Sequence, residues 1–179
     1  SDNFEMYATV SKSGDSVHRP TGKDEEEEKF IALEVDTKLE EIFEQVKSCI
    51  AQRLIDSPPE NRRDRRINEL LAIAKIVVKS MMGFDPTVPV TRQIQEIYLE
   101  TLKKHLGTKV FPIGRLVMGY KFERAVLFKA LADALDIPCW LRRTGSKIAW
   151  NEVYIPREEG YQGGELLPNY MVDLMSVEP

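Results

Sequence analysis

Hydrophobic positions recur at three- and four-residue spacing through the first two thirds of the chain and alternate with polar ones through the last third. Leu39, Ile42, Phe43, Val46, Cys49, Ile50 and Leu54 line one side of a helix of about five turns, with Asp36 or Thr37 as its N-cap. SPPEN at 57–61 breaks that helix. A second helix over 62–82 turns Ile67, Leu70, Leu71, Ala74, Val77, Val78 and Met81 inward, with Gly83 as its stop. Pro86 and Pro89 make the next connection. Thr91 then caps a third helix that runs to Leu106 and ends at Gly107.

The stretch Gly119–Leu135, GYKFERAVLFKALADAL, is apolar on nearly every side and leaves Glu123, Arg124, Lys129 and Asp133 for water. A helix apolar almost all round belongs in the middle of a fold. The mixture of β-branched residues, Pro112 and Gly114 in KVFPIGRLVMG (109–119) predicts an extended segment and a turn leading into it. After the helix, CWLRR at 139–143, IAWNEVYIP at 148–156 and NYMVDLM at 169–175 read as strands. A turn at 144–147 and a polar, glycine-containing loop at 157–168 separate them, which is the spacing of an antiparallel meander. The fold class is α+β: a helical half at 36–107, then a core at 108–175 in which a buried helix meets a three-stranded sheet. Residues 29–179 read as one domain behind a polar tail of residues 1–28, and no internal repeat is visible.

Composition changes this picture little, but charge divides it. At 42% hydrophobic and 30% charged, 179 residues can bury a real core. The tail holds eight acids against three bases, including DEEEE at 24–28, while the rest is close to neutral; the whole chain carries −4. The tail reads as solvated or held by its own domain or a partner. A near-neutral body argues against nucleic acid as a partner, and no apolar run is long enough to span a membrane. The sequence opens on Ser and so reads as part of a longer protein. Cys49 and Cys139, far apart in apolar patterns, read as buried thiols of a reducing compartment rather than a disulfide. Two histidines are too few for a zinc site of the usual ligands, and no cofactor or metal is expected. RRDRR at 62–66 is a solvated helix start on the plain reading. It could also bind phosphate or an acidic partner, or receive the acidic tail.

Three motifs carry the candidate chemistry. GYKFERA (119–125), IAWNEV (148–153) and Asp173 in YMVDLM follow one another as G-x-C-x-x-x-A, H-x-W-x-E-V and a strand Asp do in the transglutaminase-like branch of the papain-type cysteine enzymes. There the helix N-terminus lowers the thiol pKa, the His takes its proton and the Asp orients the His. Here Lys121 stands at the Cys position and Ile148 at the His position; only Asp173 is kept. An amine and a hydrocarbon can do neither job. Within that branch, RAVLFKALADALDIPCWLRR, AWNEV, YMVDLM and the preceding VFPIG most resemble the domain found at the C-terminus of armadillo repeat-containing protein 3 and ahead of the kinase in plant Raf-like ethylene-response kinases. The resemblance covers about residues 90–175, with Glu123 and Thr144 departing from the usual His and Gly.

The resemblance implies a papain/transglutaminase-like core without catalysis that binds protein partners as a scaffold, cytoplasmic, in a cilium or flagellum, with armadillo-repeat or axonemal partners. The expected contact residues are Arg115, Lys121, Arg124, Trp150 and Asp173. Two other readings stand beside it. One is a hydrolase with a relocated nucleophile at Cys139, for which His105 lies on another helix. The other is a phosphate or small-ligand receptor in which Arg115, Lys121, Arg124, Arg142 and Arg143 gather at the vacant cleft. More plainly, Arg124 pairs with a carboxylate, Asp173 or Glu152, and Trp150 fills core. The stripe on 39–54 could instead pack on another chain.

Overall fold

The helical half forms where its capping residues and breakers put it. The computed structural model describes residues 5–7, 36–85, 87–107, 110–145, 148–157 and 166–176. Helix α1 spans Thr37–Asp56, and the Asp36 carboxylate accepts from the Leu39 N–H at 3.1 Å. Helix α2 spans Arg62–Ser80, with the Asn61 side chain accepting from the Asp64 N–H. Helix α3 spans Arg92–Leu106, between the Thr91 hydroxyl cap and Gly107 in the left-handed region at φ +61°. Only glycine holds that conformation at little cost.

The first two helices form an antiparallel hairpin, in which Asn68 accepts from Arg53 and donates to the Ser57 carbonyl. Helix α2 is more central than its expected stripe: Ala72, Ile73 and Ile76 are buried along with Leu70, Ala74, Val77 and Val78. The reason is that α1 packs on one side of it and helix α4, Lys121–Ala134, on the other. In α4, Leu127, Phe128, Leu131 and Ala132 have no exposed surface. Each of the three large side chains contributes about 1.5–3 kcal/mol by leaving water. Glu123 and Arg124, expected at the surface, are buried instead, at 5% and 6% exposure. Cys49 is only partly buried, on the edge of the α1 stripe.

On the far side of α4 lies the antiparallel sheet of β3 (Cys139–Thr144), β4 (Ile148–Val153) and β5 (Tyr170–Val172), in that order. Cys139 pairs with Val153 and Trp140 with Glu152; Asn151 pairs with Val172. The last two strands are shorter than their sequence patterns. Beyond Val153 the side chain of Asn169 takes over the Ile155 N–H and C=O, and beyond Val172 the Asp173 carboxylate starts a turn by accepting from the Met175 N–H.

Upstream of α4, β2 (Val110–Pro112) is joined in parallel by β1, Glu5–Tyr7, and leads into a 3-10 turn at Ile113–Arg115. The remainder of the tail, with the acidic run at 24–28, lies outside the described residues. The Asp36 carboxylate also accepts from the Gly114 N–H at 2.8 Å, so one buried side chain caps α1 and fastens it to the 3-10 turn. Gly114 has no room for a larger residue: a Cβ there would sit 2.3 Å from the Leu39 nitrogen.

Candidate functional site

The site is the N-terminus of α4 and what is folded around it. The chain arrives there pinned to the end of α2. The Gly83 N–H donates to the Val117 carbonyl at 2.8 Å, the Gly119 N–H donates to the Met81 carbonyl, and Met82 bridges Met118. A Cβ on Gly119 would press to 2.3 Å from the Met81 sulfur, so glycine is what lets the loop cross the helix end. Arg124 then ties three segments together. Its Nε donates to the Gly119 carbonyl at 2.9 Å, one terminal nitrogen to the Leu174 carbonyl at 3.0 Å, and the other to the Met81 carbonyl at 3.4 Å. It holds the helix to the turn that follows β5 and to the end of α2. Its partners are backbone oxygens, however, rather than the carboxylate expected from Asp173 or Glu152.

Glu123 completes the start of the helix by reaching back, its carboxylate accepting from the Tyr120 N–H at 3.0 Å. Such an arm satisfies a backbone donor the helix leaves open and places negative charge at its positive end. Burial pushes the Glu123 carboxyl above the usual range, against the pull of nearby backbone N–H groups, the Gln95 amide and Arg124. Burial likewise lowers Arg124, opposed first by Glu123. Neither role was found in the sequence, although Glu123, three residues after Tyr120, stands at the spacing of a capping-box acid.

The residues that match the three catalytic positions are only partly brought together. Lys121 is exposed at the first turn of α4, its amine 5.9 Å from the Tyr120 ring centroid. Asp173 is close enough to feel that charge. Its carboxyl lies below the usual range mainly because the Ser176 hydroxyl and the Met175 N–H donate to it; Lys121 adds the smallest share. Ile148 is 48% exposed at the start of β4 and points away from α4. Strand alternation turns Ala149, Asn151 and Val153 toward the helix, where the Asn151 amide donates to the Ala125 carbonyl at 3.0 Å.

Trp150 therefore lies on the outer face, half-buried rather than in the core, and its indole N–H donates to Glu152 at 3.3 Å. Glu152 also pairs with Arg142 at 3.0 Å, and these contacts hold its carboxyl below the usual range. The expected cluster of five cations does not gather. Arg124 is spent inside, Arg142 is paired on the outer face, and Arg115 and Arg143 are exposed on separate elements.

Among the described residues neither thiol has an imidazole beside it. His105 is exposed on α3, with Nδ1 3.1 Å from the Thr101 carbonyl. Cys139 is buried on the inner face of β3 next to the Asn151 amide, and burial pushes its thiol up to about 11. A thiol so placed is protonated at neutral pH and a poor nucleophile. Among the described residues no group of three or more His, Cys, Asp or Glu is placed to hold a metal ion, and no helix is long and apolar enough to cross a membrane.

A family model described as EDR1/CTR1/ARMC3, peptidase-like, matches residues 18–177. The chain belongs to this family. The match begins at residue 18, ahead of the 28/29 boundary that composition suggests. Among relatives of this peptidase-like domain, armadillo repeat-containing protein 3 of Homo sapiens is 39% identical over 106 residues, 58% of this chain and 12% of the human protein. The probable serine/threonine-protein kinase SIS8 of Arabidopsis thaliana is 38% identical over 80 residues, 42% of this chain and 7% of the kinase. The serine/threonine-protein kinase CTR1 of the same plant is 38% identical over 72 residues, 37% and 8% of the two chains. The chain thus spans a small part of each relative's length. No solved structure matches it.

Proposed function

We propose that this peptidase-like domain is catalytically inactive and serves as a protein-binding, scaffolding module within a larger armadillo-repeat protein of the cytoplasm. Its further placement in a cilium or flagellum, beside axonemal or armadillo-repeat partners, follows the family resemblance alone. The observation that carries the reading is the α4 N-terminus. Where an active relative of this architecture needs a thiol at the positive end of the helix, this chain has the Lys121 amine in water and the Glu123 carboxylate folded onto the Tyr120 N–H. An added positive charge gains nothing at that end of a helix.

Binding is favoured over catalysis by what the outer face of the sheet offers. Ile148 at 48% exposure and Met171 at 70% lie there with Trp150, flanked by the Arg142–Glu152 pair. Apolar side chains grouped on a polar surface mark a protein contact more often than a reaction site. Contacts through the exposed side chains of Arg115, Lys121 and Asp173 belong to the same proposal, while Arg124 acts from within as a positioning residue.

The test has two arms. Purified protein is offered amide substrates for hydrolysis and for transfer to an amine, with Cys139→Ala beside it; no turnover is expected, and turnover lost in that variant would overturn the inactive reading. Binding to an isolated armadillo-repeat segment of a relative is then measured for the native domain and for Ile148→Glu/Met171→Glu. Loss of binding in the folded double variant is expected. Equal binding by both would move the contact elsewhere.

A further inference from the structure

Among the described residues the sheet ends on β3, whose partner on one side is β4 and whose other edge is open. Just before the strand, the Pro138 carbonyl accepts from the Tyr154 N–H at 3.3 Å, so these two form a hydrogen-bonded pair. Such pairs alternate with unbonded ones along an antiparallel ladder. Trp140, Arg142 and Thr144 therefore bond to β4, while Cys139, Leu141 and Arg143 turn their N–H and C=O groups away from it. Among the described residues no main-chain partner meets Leu141 or Arg143 on that side. Helix α4 packs more on β4 than on β3, which leaves Leu141 half-buried and Arg143 exposed. An edge of unpaired donors and acceptors is a template for another strand. Of the usual guards against that, β3 has no proline, lysine or bulge, only the inward-facing charge of Arg143.

We propose that this edge pairs with β3 of a second copy of the chain, antiparallel about a twofold axis at Leu141, to make one continuous sheet. The strand is complementary to itself in that register. Bonded pairs form between Leu141 and Leu141, and between Cys139 and Arg143 on either side of the axis. On the outer face Trp140 of one copy lies opposite Arg142 of the other. Within a copy Arg142 already faces Trp150, and Trp140 faces Glu152. Across the joined sheet the row reads Trp150, Arg142, then Trp140 and Glu152 of the second copy. A guanidinium is thus set between two indoles with a carboxylate beyond, which suits a cation. On the inner face Arg143 comes opposite Cys139 of the second copy. The Lys129–Asp133 pair lies close enough to Cys139 for both charges to act on its thiol. The arginine gains a carboxylate there, so the one guard on the edge becomes a contact. Sliding the second strand one way sets Arg142 against Arg142. Sliding it the other way sets Arg143 against Ile137, whose N–H is already given to Ala132. The register at Leu141 avoids both. So short a seam buries little surface, and the dimer is a reversible one.

Sedimentation equilibrium of the full chain over a concentration series tests this, and a reversible monomer–dimer equilibrium is expected. Arg143→Pro, checked for native circular dichroism, removes an outward N–H at an exposed position and leaves the bonds to β4 alone. It is expected to weaken the dimer about tenfold, for the two symmetry-related bonds lost. Leu141→Cys keeps every main-chain group and checks the register. Mild oxidation is expected to join two copies through position 141, since paired strands hold their Cα atoms within disulfide range. Thr144→Cys, at the far end of the strand, is expected to join none. A chain that is monomeric throughout would overturn the proposal. So would a dimer as tight in Arg143→Pro as in the native chain, or copies joined as readily through 144 as through 141.

Discussion

Arg124 shows how a single side chain can decide whether the α4 N-terminus exists as a site. It is buried and gives its donors to three carbonyls from three segments. Arg124→Met is expected to destabilise by about 2–4 kcal/mol, measured by urea unfolding, since the Gly119 and Leu174 carbonyls lose their donor while the Met81 carbonyl keeps the Gly119 N–H. Arg124→Lys is expected to recover only part, because an ammonium lacks the planar fork. The sequence places Arg124 next to Glu123 on what reads as a polar strip of the helix. Nothing in that spacing reveals that the strip is covered by the end of α2 and by Leu174, since both come from distant parts of the chain.

Glu123 and Asp173 titrate with opposite consequences. The Glu123 pKa is raised above its ordinary 4.5 by burial, so between that value and the folded one the native state holds the extra proton, and stability falls as pH rises through the window. Glu123→Gln is expected to remove that fall. The Asp173 pKa is lowered from 3.8, so its contribution is present above 3.8 and is lost as pH drops through the folded value. Asp173→Asn is expected to remove that loss. Denaturant midpoints from pH 3 to 7 for the two variants check both signs.

At the scale of elements, the joint between α1 and the 3-10 turn is the most concentrated. Asp36→Ala removes a cap and leaves the Gly114 N–H unpaired, which together are expected to cost about 2–4 kcal/mol. Gly114→Ala fails for a different reason, a backbone collision with Leu39, and is expected to lower the melting temperature even though the hydrogen bonds could in principle remain. The cap was legible as a choice between Asp36 and Thr37, because helix starts carry local signals. Its second bond was not, since Gly114 is 78 residues away. Helix α3 is the contrasting case. Its start and stop matched the Thr91 and Gly107 signals, yet Gln95 is its one buried residue and Ile97 stays 68% exposed. Its amides are expected to exchange with solvent sooner than those of α2 and α4, as followed by hydrogen-exchange mass spectrometry.

For the whole molecule, periodicity was enough to give the α+β class, the helix order and the meander, because each rests on the 3.6- or 2-residue repeat of a single element. It could not give how many neighbours an element has. Helix α2 is buried on two sides although its pattern shows one stripe, and the sheet keeps one face open although Trp150 reads as core. The motif match placed Lys121, Ile148 and Asp173 in chain order. Distance across the fold is a different matter: the charge of Lys121 reaches Asp173, while Ile148 leaves the sheet on the other side.

The carboxylate arm of Glu123 also bears on any attempt to retrofit the domain as an enzyme. A sulfur atom grafted at 121 would find the attractive pole of the helix already claimed by a carboxyl arm, and would be drawn less toward the thiolate than one with that pole to itself. Revival would require clearing position 123 first, and with it the lock on the loop that brings the chain into α4.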